Sequence, residues 1–217
     1  MDLDKSADHF FAELLADTDR QFKQSPVYRK QLTLGKQWNY SVCATPISKS
    51  NGVLFGINWG GSDNFQPQTV MPSGQGISEY HFIKQSRQYL ENNWGLDIAS
   101  INFNYANLCF FRTPKENYLS ADDYKLSLPL FEKYIRYINP PWILSIGGTN
   151  LKILDSFGAL KNIEQHFDKQ GKFKGHSGQL WDWNIFSVPH PGAHLTREAR
   201  HTIWETVTTE MKRATNR

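Results

Sequence analysis

Val53-Leu54-Phe55-Gly56-Ile57-Asn58-Trp59-Gly60-Gly61-Ser62 reads as a buried strand that stops abruptly. An apolar run bounded by glycines is the pattern of a strand covered on both faces. Its stop is a loop holding one amide, Asn58, among residues that let other groups come close. Glycine tolerates backbone geometries other residues avoid, and it has no side chain to exclude a ligand. In an open α/β sheet, ligands bind beyond the carboxyl ends of the strands. The stretch is therefore a site candidate, although a Gly-rich strand end is also commonly no more than a tight turn.

Working outward, Ser6 to about Phe22 carries Phe10, Phe11, Leu14 and Leu15 at amphipathic-helix spacing, with Asp4 or Ser6 to cap it. Residues 25–50 are mixed and polar and read as loop, with a short extended piece near Tyr40-Ser41-Val42. After Ser62 a long polar loop follows directly on the strand, which is uncommon unless the loop has work to do. Ile77 to Trp94 is spaced as a helix, and Ile98 to Phe111 as a second strand. Ala121 to Ile138 is a further helix, ended before Pro140-Pro141. Trp142 to Ile146 is a third strand, stopped by Gly147-Gly148 and followed by a helix from Thr149. Residues 161–178 are charged and read as surface. Trp181 to Val188 is the fourth strand, and Thr196 caps the last helix.

Strands alternating with helices predict a three-layer α/β/α domain with a mostly parallel central sheet of about four strands. At 217 residues one domain is expected over 1–217, with 1–50 as helix and lead-in and 51–217 as the core. In such a sheet the loops after Ile57, Phe111, Ile146 and Val188 gather along one edge. That geometry predicts that Asn58, Asn107 and His190 meet.

No apolar run approaches a membrane span, and the charged start Met1-Asp2-Leu3-Asp4-Lys5 lacks the apolar stretch of a secretory signal. Two cysteines, Cys43 and Cys109, are too few for a disulfide framework or a four-thiolate cluster, so a cytoplasmic protein with reduced thiols is expected. The formal charge of +3 permits a polyanion partner without demanding one. The aromatic share is 14%, with seven Trp; such rings are usually core, though they also serve sites that stack bases. His176, His190, His194 and His201 lack compact ligand spacing, so no metal or other cofactor is expected.

Four motifs in order carry a resemblance. Gly56-Ile57-Asn58-Trp59-Gly60 resembles the first motif of the uracil-DNA glycosylase superfamily, in the Asn version of its mismatch-specific and single-strand-selective monofunctional branches. Tyr105-Ala106-Asn107-Leu108-Cys109-Phe110-Phe111-Arg112-Thr113-Pro114 resembles its strand carrying the uracil-reading Asn. Pro140-Pro141-Trp142-Ile143-Leu144-Ser145-Ile146-Gly147 resembles a core strand. Pro189-His190-Pro191-Gly192 resembles the second motif, usually His-Pro-Ser, ahead of the DNA-inserting loop. The resemblance runs from about Val53 to Trp204. Trp59 stands where the family usually has Pro, Gly192 where it has Ser, and Met71 falls near its base-stacking Phe, with Phe65 nearby. The cysteine count argues against the iron–sulfur branches.

The resemblance implies a glycosylase-like fold and a monofunctional DNA glycosylase that removes uracil or a related damaged pyrimidine by base flipping. Asn58 would position the attacking water and His190 would stabilise the departing base. Gly56, Ile57, Trp59, Gly60, Met71 and Asn107 would form the base pocket; Ser62, Gly192, His194, Leu195 and Arg197 would meet DNA, with Arg200, Lys172 and Lys174 as further phosphate candidates. DNA is the expected partner, and a monomer the expected state. The residue types suit this chemistry. Asn107 offers one donor and one acceptor, matching the uracil edge and rejecting cytosine; Asn102 and Asn104 are nearby alternatives. His190 is a donor stiffened by flanking prolines. The motif positions hold no Schiff-base lysine, so lyase activity is not expected. Two other readings remain open: a non-catalytic nucleic-acid-binding protein on the same fold, with Trp59 closing the pocket, and a nucleotide-binding α/β hydrolase using the Gly-rich loop.

Overall fold

Capping chemistry sets where the helices begin. In the computed structural model, which describes residues 6–60, 63–74, 81–95, 103–191 and 193–215, the Ser6 hydroxyl accepts from the His9 amide and opens α1 (Ala7–Gln24). Ser25 accepts from the Tyr28 amide and opens α2 (Pro26–Leu34), with Pro26 in the first turn, where its missing N–H costs nothing. Gly35, in the left-handed region at φ +62°, ends it. This helix falls in a stretch expected to be loop. Its Ser-Pro start and Gly stop were its signals, but its apolar pattern is faint, with only Val27 and Gln31 buried.

The chain divides into two compact units. One comprises Met1–Lys49, Gly56–Ser73 and Asn104–Asn139; the other comprises Ser50–Phe55, Gly74–Phe103 and Pro140–Arg217. β1 (Gly52–Trp59) runs through both.

In the first unit, α1 packs on α2 and on α4 (Ala121–Ile138). Phe10 stacks on Tyr137 at 3.7 Å, and Phe22 meets Tyr28, Tyr40 and Phe111 edge-on or tilted. The expected α4 is capped by a reciprocal box between Ser120 and Asp123 and closed by Asn139 at φ +48° ahead of Pro140. Asp123 also accepts from the Val27 amide at 2.9 Å, tying α2 to α4. β2 (Phe103–Arg112) is buried along nearly its whole length. The expected extended piece near Tyr40 is present as an antiparallel bridge to Phe111, with the Ser41 amide donating to the Phe110 carbonyl at 2.9 Å.

In the second unit, β1 at Val53–Phe55 pairs parallel with β3 (Ile143–Ile146), and β3 pairs parallel with β6 (Trp183–Val188). Next to β6 come β5 (Lys174–Leu180) and β4 (Leu160–Phe167), both antiparallel. α3 (His81–Trp94) packs on α6 (Arg197–Thr215), α6 covers β4 to β6, and α5 (Thr149–Ser156) packs on β3 and β4. Tyr89 stacks on the fully buried Trp204 at 4.8 Å.

The class is α/β, with a six-stranded sheet ordered β2-β1-β3-β6-β5-β4. Six strands replace the expected four. The two additions come from residues 160–180, most of which read as charged surface, for a physical reason. β4 is a rim strand, so most of its side chains face water and need not be apolar; its run is exposed at most positions. A bulge between Lys161 and Glu164, with Asn162 at φ +53°, also interrupts the two-residue alternation that marks a strand. Trp181, placed in a strand by sequence, instead turns the β5–β6 hairpin at φ +53°.

Candidate functional site

The carboxyl half of β1 and the middle of β2 hold the first group of candidate residues, all within the first unit. A Cβ on Gly56 would lie 2.5 Å from Asn107 Oδ1 and 3.9 Å from the Tyr105 hydroxyl, so only glycine lets the Asn107 amide lie against β1 here. Two residues on, Asn58 Nδ2 donates to Thr113 Oγ1 at 2.9 Å and to the Thr113 carbonyl at 3.4 Å. Thr113 is fully buried, and its hydroxyl donates onward to the Lys115 carbonyl at 2.7 Å. The Asn58 amide is thereby oriented: its nitrogen is committed, and among the described residues no donor reaches its Oδ1.

Asn107 is 2% exposed, and among the described residues its Nδ2 has no hydrogen-bond partner. A buried unpaired N–H costs about 1–3 kcal/mol, a cost this fold also bears at Trp204 Nε1 in the core. Asn104, the nearby alternative, is fully buried and exchanges two 2.9 Å bonds with the Ser48 backbone, its Oδ1 accepting and its Nδ2 donating. It is a structural amide. Asn102 lies outside the described residues.

Trp59 is half-buried, with its ring edge-on to Tyr105 at 5.4 Å. Its Nε1 is buried and likewise unpartnered. Ile57 is half-buried and Gly60 is exposed, with nothing within 4 Å of where a Cβ would stand. Met71 is half-buried, and its sulfur accepts from the Ile47 amide at 3.4 Å. Phe65 is buried beneath the Arg112 guanidinium, 3.8 Å from its ring, and so is committed to the fold. Asp63, the carboxylate nearest to Asn58 in sequence, is also committed. It accepts from Lys36 at 2.8 Å and from Trp38 at 3.3 Å, and the Lys36 bond pulls its pKa down.

The second unit holds His190, His194, Leu195 and Arg197. Gly147, at φ +98°, donates its amide to the Val188 carbonyl at 2.8 Å, so the loops after β3 and β6 leave the sheet side by side. His190 follows β6 between half-buried Pro189 and buried Pro191, and its carbonyl accepts from the Ala193 amide at 2.8 Å. His190 is itself exposed, and partial desolvation of its ring lowers its pKa below the ordinary histidine value, which favours the neutral imidazole. His194 and Arg197 are exposed, and Leu195 is half-buried. Arg200 donates to the Ala193 carbonyl at 3.0 Å, bracing this loop against α6. Thr196 accepts from the Ala199 amide at 3.1 Å, the expected cap. Lys172 and Lys174 lie nearer the rim of the sheet, Lys174 donating to Gln165 at 3.2 Å. Ser62 and Gly192 lie outside the described residues.

The structure thus brings Gly56, Asn58, Trp59 and Asn107 into one group and sets His190 on a braced loop. Tyr105 and Thr113 were not singled out from sequence, because nothing local distinguishes a tyrosine in an apolar strand or a threonine before a proline. Both cysteines are buried, with burial raising both thiol pKa values, that of Cys109 to about 12, so neither is a nucleophile. Among the described residues no cluster of three or more His, Cys, Asp or Glu could hold a metal, and no helix is long and apolar enough to cross a membrane. No family model matches this chain, and no curated protein is significantly similar to it.

Proposed function

We propose that this protein is a monofunctional DNA glycosylase that hydrolyses uracil, or a related damaged pyrimidine, from DNA on a three-layer fold of the uracil-DNA glycosylase type. The observation that carries the reading is Asn107, a buried amide with its oxygen against Gly56 and its nitrogen unpartnered. Such an amide lacks what the edge of a 2,4-dioxopyrimidine supplies, an N–H beside a carbonyl oxygen. Cytosine presents part of that pattern reversed and leaves donor facing donor.

Breaking the N-glycosidic bond moves negative charge to the departing base and positive character to the sugar. Asn58 has no titrating group, so it is not the base of this reaction. With Nδ2 fixed on Thr113, its Oδ1 accepts a hydrogen bond from the attacking water and aims that water's lone pair at the sugar carbon. His190 enters through its motif and its chemistry. A neutral imidazole N–H donates to a base carbonyl, and that bond strengthens as the oxygen becomes anionic. An amide in place of a carboxylate gives no charge stabilisation to the sugar, so slow turnover is expected. The target base reaches such residues only when rotated out of the stack, with His194 and Leu195 filling the gap and Arg197 on phosphate.

The test is base release from uracil-containing single- and double-stranded oligonucleotides, read as alkali-labile sites without added metal. Asn58→Ala and His190→Ala are each expected to slow release on the order of 10²–10³-fold, in protein that still folds. His190→Ala should leave the melting temperature unchanged, and Asn58→Ala should lower it modestly through loss of the Thr113 bonds. Intact oligonucleotides with wild-type protein remove the catalytic reading. Salt-dependent binding without release then favours the nucleic-acid-binding alternative, and preference for free nucleotides favours the small-molecule hydrolase.

A further inference from the structure

We infer that Trp59 is a specificity-determining residue, whose indole N–H donates a hydrogen bond to a carbonyl oxygen of the bound ring. The inference rests on reading the Gly56–Asn107 wall as a base pocket, and it asks what the residue beside that wall does. Trp59 Nε1 and Asn107 Nδ2 are both buried donors without a partner. Tyr105 and Gly56 connect the two residues. The Trp59 ring meets Tyr105 edge-on at 5.4 Å, and the Tyr105 hydroxyl and Asn107 Oδ1 both lie within 4 Å of where a Gly56 Cβ would stand.

Two unpaired N–H groups in one cluster call for acceptors. A filled apolar wall would leave both unsatisfied, so the arrangement is a poor plug and a suitable reader. The complementary ligand is a planar ring bearing two exocyclic oxygens, one for each donor. A ring with one oxygen and one amino group satisfies only one of them and sets N–H against N–H at the other. A 2,4-dioxopyrimidine is the base of the first kind, and cytosine is of the second. Trp59 therefore reads the ring oxygen that Asn107 does not take, a contact separate from the amide of Asn107.

Trp59→Phe keeps a ring against Tyr105 while removing the N–H. Single-stranded oligonucleotides carrying uracil, 2-thiouracil, 4-thiouracil or cytosine at one position supply the matching change on the ligand, because sulfur is a weaker acceptor than oxygen. Equilibrium binding and base release are measured for wild type and variant on all four. Wild type is expected to prefer uracil, and Trp59→Phe to bind uracil about tenfold more weakly. The variant should also lose wild type's discrimination against one of the two thio bases while keeping it against the other. That non-additivity identifies the oxygen, and a merely structural tryptophan would not produce it. Equal weakening on all four, or no weakening, overturns the inference. If wild type releases no base yet the binding pattern holds, the glycosylase reading fails and the role of Trp59 stands. Release that proceeds normally in Trp59→Phe leaves the glycosylase and removes the second reader.

Discussion

Asn104 and Asn107 lie three residues apart on β2, and therefore on opposite faces of the strand, both essentially buried at 0% and 2% exposure. One face uses its amide to build the fold: Asn104 holds the Ser48 backbone through two reciprocal bonds of 2.9 Å. The other face turns the same chemical group toward β1, where Gly56 makes room for it and Nδ2 has no partner. Burial and residue type are matched, so the difference is in satisfaction. A satisfied buried amide stabilises the fold. An unsatisfied one weakens it, and persists where a ligand completes it.

The comparison is most exposed at Asn107. Asn107→Ala should reduce the preference for uracil over cytosine by on the order of 10²-fold or more, because a site built to hydrogen-bond a ring edge loses its reader. Its melting temperature should stay level or rise, since the variant removes an unpaired polar group; a marked fall would make Asn107 another Asn104. Gly56→Ala probes the same amide from across the gap. The added methyl would stand 2.5 Å from Asn107 Oδ1, so the amide has to move. Displacement of this kind should cost about tenfold or more in uracil release, and nothing further when Asn107 is already Ala. The smallest expected effect on function belongs to Asn104→Ala. It leaves the Ser48 backbone groups unpaired and should lower stability by about 1–3 kcal/mol in denaturant unfolding. Base preference in the folded protein should be unchanged, and a loss of preference there would collapse the distinction between the two faces.

Much of the fold was legible for local reasons. The strands expected at 53–57, 98–111, 142–146 and 181–188 correspond to β1, β2, β3 and β6, apolar runs whose ends differ by a few residues, and α4 announces itself through Ser120, Asp123 and a regular apolar stripe. β4 and β5 were not legible, because a rim hairpin with water on it and a bulge in it has neither an apolar run nor a clean alternation. α2 was missed where capping signals were present but the buried stripe was thin. At the site, Asn58 and Asn107 could be nominated from their motifs, but sequence offered Asn102 and Asn104 on nearly equal terms. Choosing between Asn104 and Asn107 required knowing what each amide touches.

The sequence by itself determined the α/β class, the strand that begins at Val53, and the short list of amides and histidines with suitable chemistry. Those properties follow from local periodicity and residue type, which are carried along the chain. That this strand runs on through Asn58 to Trp59, rather than stopping at Ile57, came from the structure. The tertiary structure alone decided that Asn104 is spent on Ser48, that Asn58 is clamped by Thr113, and that the donors of Trp59 and Asn107 are left open. These are matters of hydrogen-bond satisfaction between residues as many as 56 positions apart. Local pattern carries no record of a partner that only folding brings near.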